Sequence, residues 1–324
     1  MTLLEPRAVS RLGAGWLALP AESTRWWLPR GPRQVASEAL MIHQPVTLRG
    51  RTGWEVARTL ARAGAFRYLP RGEAPPEEVR RMLAPHLPRG GTFAVSRSRH
   101  AGRYLAAILD GRGALRGIAK VATNPAQTIS LEREAEMVKR LAGLLPVSVR
   151  APQVLAHGPG LLILEPIEWR QRSRPWLLDE ELAAALGAFF LAGSRETPDG
   201  IVGPSHGDVA PWNLLRTSQS WVLVDWESAT VDGQPFFDVC HYVVQGYGLL
   251  GHPSDRQVVE GFEAGRGWVG RAVHAYAEAG GLPADTAIES LRSYLAMTTP
   301  TFVPKTRAER RGIKRRDRLL ELVG

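Results

Sequence analysis

The chain has 324 residues, 44% of them apolar and 23% charged, and a formal net charge of +9 at pH 7. That balance excludes a disordered or collagen-like polymer and is enough for two buried lobes, or for one bilobal unit with a small accessory piece. The single cysteine, Cys240, excludes an internal disulfide; it reads as a core residue and suits a reducing, cytoplasmic setting.

In chain order, Arg7 and Arg11 before an apolar run at 12–19 look superficially like a secretory leader. Glu5 interrupts the basic region and Gly13 and Gly15 weaken the apolar one, so secretion is not expected. Trp16, Trp26, Trp27 and Trp54 then imply packing, either as a small α/β appendage or against the lobes that follow. Helical patterns run from Trp54 through Val56 and Leu60 and from Glu77 to Leu83, with breaks at Ala74-Pro75-Pro76 and Leu87–Gly91.

Three strands are expected next, at Thr92–Ser96, Tyr104–Leu109 and Gly117–Ala122. The loop between the first two has one glycine, Gly102, and no G-x-G-x-x-G; Arg99 and Arg103 in it read as solvated. Leu131, Glu134, Val138 and Leu141 recur at helical spacing, predicting a helix over 130–142 with Ser130 as its N-cap. The apolar run Leu161–Leu164 predicts a buried strand that stops at Glu165-Pro166-Ile167. Leu182–Gly193, the longest apolar stretch, is too short to cross a bilayer and predicts a buried helix.

Leu214–Arg216 and Trp221–Val224, separated by four polar residues, predict an antiparallel hairpin. If Arg216 faces Trp221, Asn213 lies opposite Val224 and beside Asp225, with cross-strand neighbours about 5 Å apart. An amide oxygen and a carboxylate then converge. Magnesium takes hard oxygen ligands and commonly keeps only one or two protein groups, so Asn213 and Asp225 are the candidate metal ligands. Asp208 precedes Asn213 by five positions, the interval between catalytic Asp and metal-binding Asn in the kinase loop H-R-D-x-x-x-x-N. Its candidate role is catalytic base. Gly207 replaces the kinase Arg, and His206 reads as a brace for the loop.

Beyond Asp238, helices are expected over 241–250, 257–262, 267–278 and 284–297. Trp268, Tyr276, Tyr294 and His241 would pack their interior or line a pocket. The tail concentrates Lys305, Arg307, Arg310, Arg311, Lys314, Arg315, Arg316 and Arg318 ahead of Leu319, Leu320, Leu322 and Val323. A solvated terminal helix is the simpler reading, and a surface for nucleic acid or an anionic membrane is the alternative.

His206-Gly207-Asp208-x-x-x-x-Asn213 followed by Asp225-Trp226-Glu227 resembles the aminoglycoside phosphotransferase and choline kinase group. The motifs cover about residues 91–245. The resemblance implies an α+β, bilobal, protein kinase-like fold: a small antiparallel sheet with one helix, then a larger, mainly helical lobe. The implied domains are an N-terminal accessory segment at 1–90, a nucleotide-gripping lobe at 91–167 and a catalytic lobe at 168–324. It also implies ATP and Mg2+ as cofactors, with Lys120 as the phosphate-binding lysine and Glu134 as its ion-pair partner, Glu132 and Glu136 being rivals. Backbone groups near Glu165 and Ile167 would receive adenine at an interlobe hinge, and Asp238 would steady the catalytic loop.

The function implied is transfer of the γ-phosphoryl group of ATP to a hydroxyl of a small molecule: a sugar, an aminoglycoside-like compound or another metabolite. The strong positive charge sits poorly with a polycationic acceptor. The competing readings are a catalytically silent kinase-like module that binds an anionic partner through its basic tail, and a protein Ser/Thr kinase.

Overall fold

The computed structural model describes residues 15–19, 24–42, 45, 48–301, 304 and 307–324. The leader-like residues Glu5, Arg7, Arg11 and Gly13 lie outside the described residues, as do Lys305 and the Arg307 side chain. The chain forms two compact units. One takes in the described residues up to Ala135 together with Gln153–Pro166; the other takes in Glu136–Pro152 and Ile167–Gly324.

The first unit is built on a seven-stranded antiparallel sheet in the order β1-β2-β3-β4-β5-β8-β7. Its strands are β1 (Trp16–Leu19), β2 (Trp26–Pro29), β3 (Thr92–Arg97), β4 (Arg103–Leu109), β5 (Leu115–Ala122), β7 (Val154–Gly158) and β8 (Leu161–Leu164); β6 (Val149–Arg150) belongs to the second unit. Among the described residues before 90, β1 and β2 extend the same sheet. Alternation with period two explains how both faces are filled. Trp16, Trp27, Phe93, Val95, Ala106, Ile108, Ala119 and Val121 point to one face, where Val79 and Leu83 of α3 (Glu77–Leu83) pack on them. Leu17, Leu28, Ala94, Ala107 and Leu109 point to the other, against Val35 and Ala39 of α1 (Arg33–Ala39). Each large side chain so buried contributes roughly 1.5–3 kcal/mol. Trp54, in α2 (Leu48–Arg62), is buried too, and its indole N–H donates to the Leu40 carbonyl at 3.0 Å.

Helix α4 (Pro125–Leu141) begins five residues before the expected start. Asn124, not Ser130, caps it: the Asn124 Oδ1 accepts the Gln127 N–H at 2.9 Å, and Pro125 occupies the first helical position, where its missing N–H costs nothing. Ser130 therefore sits inside the helix. The Leu131, Glu134, Val138 and Leu141 stripe is buried along its length, as its spacing requires.

The second unit is mainly helical. It comprises α5 (Glu180–Ala192), α6 (Phe237–Gln245), α7 (Asp255–Ala264), α8 (Gly267–Gly280), α9 (Ala287–Thr298) and α10 (Arg307–Val323). Asp179 caps α5 by accepting the Leu182 N–H at 2.9 Å. At Gly187 a Cβ would overlap the Tyr276 carbonyl oxygen, so glycine sets how closely α5 and α8 approach. Two small sheets complete the unit: β13-β10-β9, from β9 (Arg195–Thr197), β10 (Gly200–Ser205) and β13 (Thr230–Gly233), and β11-β12-β6, from β11 (Leu214–Arg216) and β12 (Trp221–Leu223). Pairing of β6 with β12 is parallel. The basic tail is not simply a solvated helix: Leu319, Val323 and Arg316 are buried, Arg315 donates to the Tyr247 carbonyl, and Arg318 pairs with Asp255. No helix among the described residues is long and apolar enough to cross a membrane. The α+β class with an antiparallel sheet and a helical part is the one the sequence implied.

Candidate active site

In the first unit, β4 and β5 pair so that Leu105 lies opposite Lys120 and Arg103 opposite Ala122. Arg103 and Lys120 are therefore diagonal neighbours on one face of the sheet. Both reach Glu134 on α4. Lys120 Nζ donates to Glu134 Oε1, and Arg103 Nη2 donates to Glu134 Oε2 at 3.2 Å. Glu134 is fully buried, while Arg103 and Lys120 are 6% and 9% exposed. The expected Lys120–Glu134 pair is thus present, whereas Glu132 and Glu136 are exposed. Arg103 departs from expectation: it is not solvated, because a buried carboxylate with two oxygens needs more than one donor and the strand register brings the guanidinium to it.

At the end of β8, the Glu165 N–H donates to the Gln153 carbonyl at 2.9 Å, and the Glu165 carboxylate accepts the Gln153 N–H at 2.8 Å. The Glu165 amide is thereby engaged within its own unit. Adenine recognition was assigned to backbone groups near Glu165 and Ile167; of these the Glu165 amide is already paired with Gln153, and the Ile167 side chain is buried. The last of the boundaries between the two units falls between Pro166 and Ile167.

In the second unit the hairpin has the register read from the sequence: Leu214 opposite Leu223, Leu215 opposite Val222, Arg216 opposite Trp221. The Val224 N–H donates to the Asn213 carbonyl at 2.9 Å, so Asp225 is the residue that follows Asn213's cross-strand partner. Asp225 itself has φ +72°, a left-handed conformation unusual for a non-glycine residue and common at functional turns. The Asn213 amide nitrogen donates to both the Asp208 carbonyl, at 2.9 Å, and Asp208 Oδ2, at 2.7 Å. With both N–H groups so used, the amide oxygen is the atom left to meet a cation. That donor set, one amide oxygen and one carboxylate, fits a hard divalent ion that retains phosphate and water ligands.

The loop between β10 and β11 is held from behind by Asp238 in the first turn of α6. Asp238 Oδ2 accepts the His206 N–H at 2.9 Å; Oδ1 accepts the Gly207 N–H at 2.9 Å and the Ser205 hydroxyl at 3.0 Å. Gly207 has φ +75°, and a Cβ there would overlap the Ser228 carbonyl oxygen. This explains why glycine, not the arginine of protein kinases, stands before Asp208. His206 is buried against Trp226, ring centroids 4.8 Å apart, and its Nδ1 accepts the Asp208 N–H at 3.3 Å. Burial holds its imidazole below the ordinary histidine range, despite the opposing pull of the Asp238, Asp208 and Asp225 carboxylates.

Asp208 has a second neighbour that the sequence reading did not assign to it. His241 Nε2 lies 2.8 Å from Asp208 Oδ1. The signal was available: His241 is three residues after Asp238, one helical turn along α6, so the face that reaches the loop through Asp238 also carries His241. Tyr294 and Tyr276 are buried; the Tyr276 ring meets Phe236 at a tilt with centroids 5.3 Å apart, and burial pushes the Tyr294 phenol up to about 12. Cys240 is a buried free thiol, raised by burial, and not a nucleophile.

No protein-family model matches the chain, and no curated protein does. Solved structures similar to it include a putative fructosamine-3-kinase from Thermobifida fusca: 15% identity over 70% of this chain and 93% of that one, TM-score 0.49. Another is a macrolide 2'-phosphotransferase from Brachybacterium faecium: 16% identity, 74% and 97% covered, TM-score 0.45. A third is an ethanolamine kinase from Plasmodium vivax: 10% identity, 71% and 82% covered, TM-score 0.45. All three are kinases or phosphotransferases by name.

Proposed function

We propose that the chain is an ATP- and divalent-metal-dependent phosphotransferase acting on the hydroxyl group of a small molecule, with Asp208 as catalytic base. The observation that carries this reading is the Asp208–Asn213 contact at the mouth of a hairpin that also delivers Asp225. One carboxylate is held by an amide whose N–H groups both go to Asp208, which leaves the amide oxygen as the atom available to a cation. In the reaction the acceptor oxygen forms a bond to the γ-phosphorus, and the bond from that phosphorus to the β–γ bridging oxygen breaks. ADP leaves with the electron pair, and Asp208 takes the hydroxyl proton.

Asn213 and Asp225 would hold Mg2+, which when bound neutralises charge on the phosphate oxygens. Lys120, held by Glu134, would donate to the α- and β-phosphates. Backbone groups near Glu165 and Ile167 would receive adenine. Asp238 and His206 keep the Asp208 loop in one conformation, so the carboxylate need not reorganise during transfer.

The acceptor class follows only coarsely. Asp208 is 29% exposed in its side chain and so reachable by a small hydroxyl compound. Among the acceptors considered, a sugar or other metabolite hydroxyl suits a chain of net charge +9 better than a polycation does. The test is a metabolite-library screen for magnesium-dependent ATP consumption with Asp208→Ala as blank. Consumption equal in both proteins, for every compound, would refute the assignment; phosphate found on protein serine or threonine instead would favour the protein-kinase reading.

A further inference from the structure

We infer that His241 is a positioning residue for the catalytic base, held in a single ring orientation by Tyr294 and Gln245. The inference rests on the proposed phosphotransfer reading and deepens it. Three observations converge on one imidazole. Its Nε2 is 2.8 Å from Asp208 Oδ1, its Nδ1 is 3.0 Å from the Tyr294 hydroxyl, and the Gln245 side-chain amide is 3.0 Å from Nε2. His241, Gln245 and Tyr294 are 8%, 7% and 2% exposed, so water does not substitute for these contacts freely.

The tautomer follows from donors and acceptors. An ionised Asp208 only accepts, so the nitrogen facing it has to carry the proton: Nε2–H donates to Oδ1. Nδ1 is then an acceptor, and the Tyr294 hydroxyl donates to it. Tyr294 suits this role because burial pushes its phenol up to about 12, which keeps the O–H group in place. Gln245, one turn after His241 on α6, has its amide nitrogen toward Nε2 as placed and its Oε1 buried without a partner. The opposite amide orientation turns Oε1 to the Nε2–H and removes the clash of two donors. Ring contacts restrict the imidazole further: Phe237 stacks on it at 6.1 Å and 24°, and Tyr294 meets it edge-on at 5.8 Å and 84°.

The consequence lies at Asp208. Asn213 holds Oδ2 and His241 holds Oδ1, so the carboxylate plane is fixed from both sides, and one lone pair on each oxygen remains for the acceptor hydroxyl. The arrangement is that of a base oriented by another group, which catalytic centres use to hold a reacting atom in one attitude. Other charged groups near the Asp208 loop are Asp238 and Asp225, with His206 buried behind it. Asp238 is occupied by the Ser205, His206 and Gly207 donors, so the orientation of Asp208 falls to His241 and Asn213.

The test uses the full chain with MgATP, reading ATP hydrolysis to water and transfer to any acceptor found in the screen. In His241→Leu, kcat is expected to fall about ten- to a hundredfold, the size of effect that a misplacement near 1 Å produces, while KM for ATP stays put. His241→Gln, whose amide can donate to Oδ1, should recover most of the loss, and Tyr294→Phe should lose a smaller part. Melting temperatures of all three establish that the variants are folded. Independently of turnover, long-range proton–nitrogen NMR of the His241 ring should report an Nε2–H tautomer that changes in Asp208→Ala. A folded His241→Leu with wild-type kcat, or an Nδ1–H tautomer in the wild type, overturns the inference alone. A wild-type chain that never consumes ATP overturns the phosphotransfer reading, and this inference with it.

Discussion

Glu134 stands between two cations, which makes its removal and the removal of Lys120 very different perturbations. Lys120→Met leaves the Arg103–Glu134 pair at 3.2 Å in place, and the methionine stem fills much of the volume of the lysine. Glu134→Ala leaves two side chains, at 11% and 7% side-chain exposure, with their charges facing each other and no carboxylate between them. Breaking a buried pair by deleting one partner costs about 3–5 kcal/mol because the remaining charge is uncompensated. Both cations lose the carboxylate they share, which places Glu134→Ala in that range. For Lys120→Met the same reasoning gives about 1–2 kcal/mol, since Glu134 keeps a donor. Urea titration of the three proteins, with equal m-values, measures the contrast directly. Lys120→Met should unfold near the wild type while losing MgATP turnover; Glu134→Ala should lose both. Equal destabilisation by the two substitutions would refute the idea that Arg103 shares the carboxylate.

Three further outcomes follow from the second unit. Gly207→Ala should destabilise by about 2–4 kcal/mol, since a left-handed alanine costs about 1 kcal/mol and the Ser228 carbonyl in its path is backbone; a denaturation midpoint unchanged from wild type would refute it. Asp225→Ala should abolish magnesium-dependent turnover by two or more orders of magnitude while leaving the melting temperature close to wild type; near-normal turnover would count against the metal assignment. His206 is held neutral by burial, so its folded value lies below its unfolded one near 6.5 and the unfolded chain binds the extra proton. Its contribution is complete above about pH 6.5 and is lost as pH falls toward the folded value, with a slope of at most about 1.4 kcal/mol per pH unit. The melting temperature of His206→Asn should lack that part of the acid slope, and an unchanged slope would refute the attribution.

What the sequence made legible was whatever depends on short-range periodicity. The 214–224 hairpin was readable because a four-residue loop between apolar runs leaves few registers, and Asn213 followed from that register alone. Lys120 and Glu134 were named from the resemblance, and the periods of the strand and of the helix supplied the faces on which they stand. Arg103 was not, although the same arithmetic holds it: it is two residues from Leu105, the partner of Lys120, and so on the lysine's face. An arginine in a glycine-containing loop was taken as solvated because most arginines are. The strands β1 and β2 were missed for another reason. Two four-residue tryptophan-rich segments carry no long alternation, and only pairing with β3 makes them strands. The early start of α4 was missed because Asn124-Pro125 is equally a turn signal until the helix after it is known.

The backbone around Asp208 points to a site whose shape is settled before any ligand arrives. Among the described residues, two non-glycine residues have positive φ: Asp225, at +72°, and Phe236, at +60°. Each is strained by an amount on the order of 1–3 kcal/mol, and each is followed closely by a residue that explains why the strain persists. Trp226 is fully buried and donates to the Leu223 carbonyl at 2.7 Å, which anchors the turn that presents Asp225. Phe236 is fully buried against Tyr276, and the turn it makes starts α6 so that Asp238 meets the His206 and Gly207 amides. Relaxing Phe236 would rotate the first turn of α6 and with it both Asp238 and His241, the two side chains that hold the loop and the Asp208 carboxylate. Phe236→Gly would ease the backbone and remove the aromatic anchor together, whereas Phe236→Leu keeps the strain and weakens the anchor. If the anchor is what maintains the geometry, Phe236→Leu should lower kcat more than it lowers KM for ATP, at a stability cost of about 1–2 kcal/mol. A loss of stability with kcat untouched would mean that the loop holds its shape without help from this turn.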